Sequence, residues 1–350
     1  MTLHKGISLY PGLGMPLEDM LRRLDEAAGL GVDRLFLSFH IPETDPAAFD
    51  RQVAPLLSRA RELGLATVGD LVPGRPVPAD LTCLRLDDGF TPEAIAALQQ
   101  QYPDRTLVLN ASTVREEELE ALGRAGVELD HLEALHNFYP HPHTGLSERY
   151  FAAQNGLLHR YGIPAGAFIS SRNGRRGPVR AGLPTLEEDR DRKAGLAAQH
   201  LLLLGADQIY FGDDGPGKEE LQAVAQVEQD VVTLTLRVPH QRETLYDELE
   251  RHVYETRRDE AEEVIRTANS RALWKDKDIP PLHIGRCQEG TVTLDNSRYG
   301  RYSGELEICK QDLPADKRVD VLGKIPVEEL FLLPYLNGGR KFRFTVVAQA

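Results

Sequence analysis

Between about Lys5 and Asp213, short apolar runs of strand length alternate with longer runs whose apolar residues recur at helical spacing. The short runs are 6–10, 34–39, 65–70, 83–87, 106–110, 132–137, 166–170 and 208–213. Helical spacing fills 16–30, 46–63, 91–102, 115–124, 147–161, 185–204 and 218–229. After the third run, Gly74-Arg75-Pro76-Val77-Pro78 leaves room only for a short or degenerate helix. Local signals agree with these spans. Glu18 and Asp19 sit in a first turn, and Gly31 and Gly64 stand where helices should stop. Thr91-Pro92-Glu93 reads as an N-cap with proline behind it, and Thr185 with Glu188 reads as a capping box. Strands alternating with helices predict parallel βαβ units. Eight of them predict an α/β fold of the (β/α)8, TIM-like barrel type.

Past about Val232 the texture changes. Leu245 to Thr267 is highly charged and helix-like, and from Leu282 the pattern becomes β, with runs at 291–294, 304–309, 319–323 and 341–346. The expected division is a catalytic barrel over 1–235, a helical connector over 236–280, and a small, mostly antiparallel β-barrel domain over 281–350.

Composition narrows the function. A net charge of -13 disfavours nucleic acid and anionic membrane surfaces as partners. Three scattered cysteines, Cys83, Cys287 and Cys309, read as reduced thiols. The start shows no apolar leader, and no apolar run approaches the ~20 residues of a membrane span, so a cytoplasmic protein is expected. There is no Walker A loop and no GxGxxG fingerprint; Gly12-Leu13-Gly14 is a weak glycine pair. No cofactor is therefore expected. No strand run ends in lysine, which counts against a Schiff-base aldolase.

The chemistry sits where the strand runs end. His40, Asp70, Asp87, Asn110, His136 with Asn137, Ser170 with Ser171, and Asp213 all fall there, and such barrels place active sites at strand C-terminal ends. Asp70 and Asp87 end adjacent strands and could form the carboxyl pair that glycoside hydrolysis needs, with Asp213 a third candidate. Each could equally be a structural acid bonded to loop amides or an arginine. Glu133 lies early in its strand and is expected to be buried in a pair or to point outward, not to be catalytic. Asn110, Asn137, His136 and His40 suit sugar recognition, Arg85 accompanies the acids, and Tyr10 and Tyr139 could form a stacking wall. The loop 172–184 holds Arg172, Arg175, Arg176 and Arg180, an anion clamp or a solvated loop. No metal site is expected, since only loop histidines accompany His136.

The stretch Leu135-His136-Asn137-Phe138-Tyr139-Pro140 through Thr144-Gly145-Leu146 resembles the hallmark of the bacterial 6-phospho-N-acetylmuramidase family. Leu84 to Phe90, Leu109-Asn110-Ala111-Ser112, Arg176-Gly177-Pro178, Gly182 to Glu187, Asp295-Asn296 and Tyr299 to Leu306 add matches in order along nearly the whole chain. The resemblance implies a TIM-like barrel followed by a cyclophilin-like domain. It implies hydrolysis of the β-1,4 bond of N-acetylmuramic acid 6-phosphate–N-acetylglucosamine, a cytoplasmic step of peptidoglycan recycling. The partner would be a small phosphorylated disaccharide, with a homodimer among the assemblies allowed. It also implies a basic residue after Phe138-Tyr139-Pro140, where this chain has His141. In the C-terminal part, Arg301, Tyr302 and Glu305 are expected on a strand, with Arg301 and Glu305 in a surface or inter-domain salt bridge or, alternatively, Arg301 reaching the substrate's anionic groups. Competing readings are another phosphosugar barrel enzyme, an isomerase or lyase, and a non-catalytic sugar-phosphate binding protein.

Overall fold

The computed structural model describes residues 3–39, 41–71, 77–87, 89–239 and 244–348. Two compact units divide the chain, Met1–Gln226 and Val227–Ala350.

The first unit opens with β1 (His4–Leu9), α1 (Leu17–Gly29), β2 (Arg34–Ser38), α2 (Pro46–Glu62), β3 (Ala66–Leu71) and β4 (Cys83–Leu86). It continues with α3 (Pro92–Gln101), β5 (Thr106–Asn110), α4 (Glu116–Arg124), β6 (Leu132–Leu135) and α5 (Glu148–Arg160). It ends with β7 (Ala165–Ile169), α6 (Ala194–Leu203), β8 (Gln208–Phe211) and α7 (Lys218–Ala225). The eight strands form a closed parallel barrel in chain order, as the alternation predicts. Closure is made by β1, which pairs with β2 through Gly6↔Arg34 and with β8 through Gly6↔Tyr210. Gly6 is obligatory there, because a Cβ would fall 2.2 Å from the Tyr210 ring.

Strand runs read as continuously apolar because helices cover one face and the barrel core fills the other. Phe36, Val68, Val108, Leu135, Phe168 and Tyr210 pack that core. Deeper charge is paired as expected for Glu133: Arg34 grips it with two hydrogen bonds of 2.8 and 2.9 Å. The helix cap at Thr91 follows its sequence signal, accepting a first-turn amide, and Asp45 and Ser147 cap α2 and α5 in the same way. Thr185 departs from them. It caps no helix, since α6 starts at Ala194; its hydroxyl bonds Asn137 O and receives Phe168 N, tying β7 to the loop after β6. Among the described residues no helix is long and apolar enough to cross a membrane.

The second unit corrects the expected division. Its sheet begins with β9 (Val231–Val238), most of it inside the span assigned to the barrel, and the expected helical connector also carries strands of this sheet. Only α8 (Thr244–Arg251) and the short α9 (Ser270–Leu273) are helical there; β10 (Tyr254–Glu255) and β11 (Val264–Arg266) join the sheet. The remaining strands are β12 (Thr291–Asp295), β13 (Leu306–Cys309), β14 (Val319–Lys324) and β15 (Lys341–Ala348). The order is β10-β15-β9-β14-β12-β13-β11, mostly antiparallel, and the bridge Thr256↔Thr267 links its two ends so that the sheet curls round. The exception to antiparallel pairing is β9 beside β15, in register from Val231↔Lys341 to Val238↔Ala348.

Arg301 and Tyr302 lie in a 3-10 segment, Ser297–Tyr302, not on a strand. Their side chains meet each other, with the Arg301 guanidinium 4.8 Å from the Tyr302 ring centre and 2.7 Å from its hydroxyl. Glu305 is buried and pairs with Arg271 at 3.5 Å, so the period-two face joining it to Arg301 does not exist.

Asp295 is buried on this sheet near the carboxylates of Glu305 and Glu307, with Arg318 opposing them. Burial first, then the Glu307 and Glu305 carboxylates, push it from 3.8 to about 8, and burial with the Glu305 carboxylate, against Arg266, pushes Glu307 to about 7. A carboxyl raised in the fold stabilises it below its ordinary pKa and loses that contribution as pH rises through the folded value. The second unit should therefore become less stable between pH 4 and pH 8. Asp295→Asn should flatten that dependence in thermal unfolding followed against pH; an unchanged slope would place its origin elsewhere.

Candidate active site

The strand C-terminal ends surround a cavity of about 570 Å³, and Asp70, Arg85, Asp87, Asn110, Asn137 and Arg176 line it together. Asp70 ends β3 and is buried; its Oδ1 accepts from Arg85 Nη1 at 2.7 Å. Asp87, just past β4, stands 4.0 Å from the same nitrogen with its side chain 30% exposed. One guanidinium thus holds both carboxylates on one side of the mouth. The register makes Asp70 and Arg85 direct neighbours across β3 and β4, and Asp87 follows two residues after Arg85.

Arg85 is itself held by a directional chain. Its Nη2 donates to Asn137 Oδ1 at 2.6 Å. Asn137 N donates to Ser112 Oγ at 2.9 Å, and Ser112 Oγ meets His136 Nδ1 at 3.1 Å. His136 Nε2 meets Asn155 Oδ1 at 3.0 Å, and Asn155 Nδ2 donates to Leu204 O. Reading from the fixed carbonyl of Leu204 assigns the tautomer: Asn155 Oδ1 accepts, so Nε2 carries the proton and Nδ1 accepts from Ser112. That is the neutral ring. Burial lowers the His136 pKa to about 4, with Arg85 adding repulsion and Asn155 opposing them. His136 therefore has no ring nitrogen left for a ligand. It lines the cavity with both nitrogens held by protein partners, and through Ser112 it supports Asn137 and Arg85.

The opposite side is built on Arg176. Its guanidinium lies 4.4 Å from the Tyr10 ring centre and 5.1 Å from that of Phe138, while Nε and Nη1 are buried without a hydrogen-bond partner among the described residues. Tyr10 is consequently no stacking wall. Its ring is fully buried, covered by Arg176, and its hydroxyl donates to Gly212 O. The aromatic surface lining the cavity is Phe36, Phe138 and Phe168, packed edge to face, with Tyr139 beside them. Burial raises the Tyr139 phenol, against opposing hydrogen bonds to the Ser112 and Asn137 side chains.

Asp213 does not line the cavity. Its carboxylate accepts the amides of Ser171, Arg176 and Leu183 at 2.9, 2.9 and 3.2 Å, so it folds the arginine loop rather than facing a ligand. Burial raises its pKa against those three bonds. Gly174 and Gly215 cross so closely that a Cβ on either would fall 2.6 Å from the other's Cα, pinning the loops after β7 and β8 together. Glu187 adds a second tie, accepting from His143 N, Gly145 N and Arg190, whose guanidinium pulls it down to about 2. Of the loop arginines, Arg175 is spent on Asp191, Arg190 O and Ser171 O, and Arg172 is exposed. Arg180 is exposed and lines a side lobe with Arg176. His141 is exposed, with Nδ1 on Pro142 O, and does not line the cavity. His40 and Asp88 lie outside the described residues.

Asn110 lines the cavity with its Oδ1 committed to Ser112 N. Ser38, Glu43 and Thr113 also line it and were missed. Ser38 ends its strand and was legible; Glu43 and Thr113 come from loops, where no periodicity marks direction.

A family model described as 6-phospho-N-acetylmuramidase, N-terminal, matches residues 5–226, and its C-terminal counterpart matches residues 232–345. The chain is similar over 99% of its length to the whole of an uncharacterized B. cereus protein of known crystal structure, at 26% identity and a TM-score of 0.88. It is similar over 98% of its length to 96% of a conserved Enterococcus faecalis protein of unknown function, at 28% identity and a TM-score of 0.71. No curated protein matches it.

Proposed function

The chain belongs to the 6-phospho-N-acetylmuramidase family, and from that premise we propose that it is a glycosidase hydrolysing the β-1,4 bond of N-acetylmuramic acid 6-phosphate–N-acetylglucosamine in cytoplasmic cell-wall recycling. One observation carries the reading: a guanidinium with buried, unpartnered nitrogens faces two carboxylates across an aromatic-lined cavity. Such a guanidinium suits a phosphate, and the two carboxylates suit acid–base work on a glycosidic bond. Asp87, the more accessible, transfers the proton at the glycosidic oxygen. Asp70, fixed by Arg85, sets charge beneath the sugar or orients its acetamido group. Asn110 and Asn137 meet hydroxyl or acetamido groups. Three unpaired cysteines accord with a reducing compartment.

Purified protein given the phosphorylated disaccharide should release two monosaccharides and should leave the unphosphorylated disaccharide nearly intact. Tight binding without release would make it a sugar-phosphate binding protein. Arg176→Ala should lower kcat/KM for the phosphorylated substrate by about 10- to 100-fold, the worth of a hydrogen bond to a charged group. A comparable loss on an unphosphorylated analogue would show that the loop is structural.

A further inference from the structure

The mouth of the barrel has two side lobes, and they lie on opposite sides. One, about 460 Å³, opens from the cavity at Glu43, Arg176 and Pro178, beside the loops after β1, β7 and β8. The other, about 510 Å³, opens at Asp87, Asn110 and Thr113 and lies between the N-terminal ends of α3 and α4. In a closed ring of eight strands, β4 and β5 face β8 and β1. A ligand anchored on Arg176 and crossing the carboxylates must therefore point its far end into the second lobe. We propose that this α3–α4 lobe is the subsite for the departing sugar and reads it by shape, through the apolar face of the ring. The proposal rests on the glycosidase reading above.

The lining supports recognition by shape. Ile95, Leu109, Val114 and Leu122 are buried and form its base. Away from the neck its charged residues, Arg115 and Glu118, are engaged with each other: Glu118 accepts from Arg115 N at 2.9 Å and from Arg115 Nη2 at 3.4 Å, closing the cap of α4. Polar groups for a ligand are concentrated at the neck, on Asp87, Asn110 and Thr113. A pyranose offers a C–H face to an apolar floor and hydroxyls to such a neck. The bond to be cut would then lie at the neck, where Asp87 stands.

Leu122→Phe and Ile95→Phe fill the lobe from different helices. Each is compared with wild type on the phosphorylated disaccharide and on the methyl β-glycoside of N-acetylmuramic acid 6-phosphate, which lacks the second sugar. In a variant that keeps a cooperative unfolding transition, the ratio of kcat/KM between the two substrates should fall at least about tenfold, as expected for a lost sugar contact of about 1.4 kcal/mol or more. An unchanged ratio in folded variants overturns the proposal. A wild type that cleaves neither substrate refutes the glycosidase reading instead. The lobe is then judged by nuclear Overhauser contacts from N-acetylglucosamine to the methyl groups of Ile95, Val114 and Leu122 in the wild type. Contacts to those methyls support it, and a sugar that binds without them, or does not bind at millimolar concentration, overturns it whether or not either variant folds.

Discussion

Asp87→Asn is expected to lower kcat on the phosphorylated disaccharide by about 10³-fold while KM stays within about threefold, the range lost when a positioned proton-transfer group is removed. The substitution keeps shape and removes charge. Asp87 is the carboxylate open to the cavity, its side chain 30% exposed, whereas that of Asp70 is buried against Arg85. Its loss should therefore leave the unfolding midpoint almost unmoved. Asp70→Asn should show a different signature. It also takes one charge from a buried pair at 2.7 Å, so turnover and stability should fall together. Steady-state kinetics beside thermal unfolding separates the two, and near wild-type turnover in Asp87→Asn would remove Asp87 from the catalytic set.

The second large effect is one of stability. Arg85→Met should destabilise the barrel by about 3–5 kcal/mol, because Asp70 is left as a buried charge without its partner. Asn137 loses its tether in the same step. Adding Asp70→Asn to that variant should restore part of the loss, because the orphaned charge is gone. A double-mutant cycle by denaturant unfolding measures this coupling. Strict additivity would mean that water already screens Asp70, contrary to its burial.

Most of the barrel was legible because its signals are local. Periodicity places the strands, and the Thr91-Pro92 cap fixes its helix start within a residue. The carboxylates and Arg176 could be named because strand ends and long loops are known places for chemistry. What escaped depended on distant partners. Nothing in the sequence ties Asn155 on α5 to His136, or Tyr10 to Arg176; both pairings exist only after the barrel closes. Thr185 carried a sound capping pattern, yet its hydroxyl found Asn137 O and Phe168 N first. The miss at β9 had a different cause. Val231 to Val238 alternates buried and less buried residues, a plain period-two signal, but it followed α7 so closely that it was counted as the end of the barrel.

That strand also says something about how the protein is made. Every neighbouring pair in the barrel is consecutive in the chain apart from β1 with β8, so the first unit can assemble as its own last strand and helix leave the ribosome. The second unit has no such freedom. Its first strand lies between β14 and β15, and its longest partnership, with β15, comes from the opposite end of the unit. Until that segment is synthesised, β9 presents an apolar, unpaired edge. During translation the nascent chain thus passes through a stage with a finished barrel trailing an incomplete sheet, and that interval is when a chaperone has most to offer.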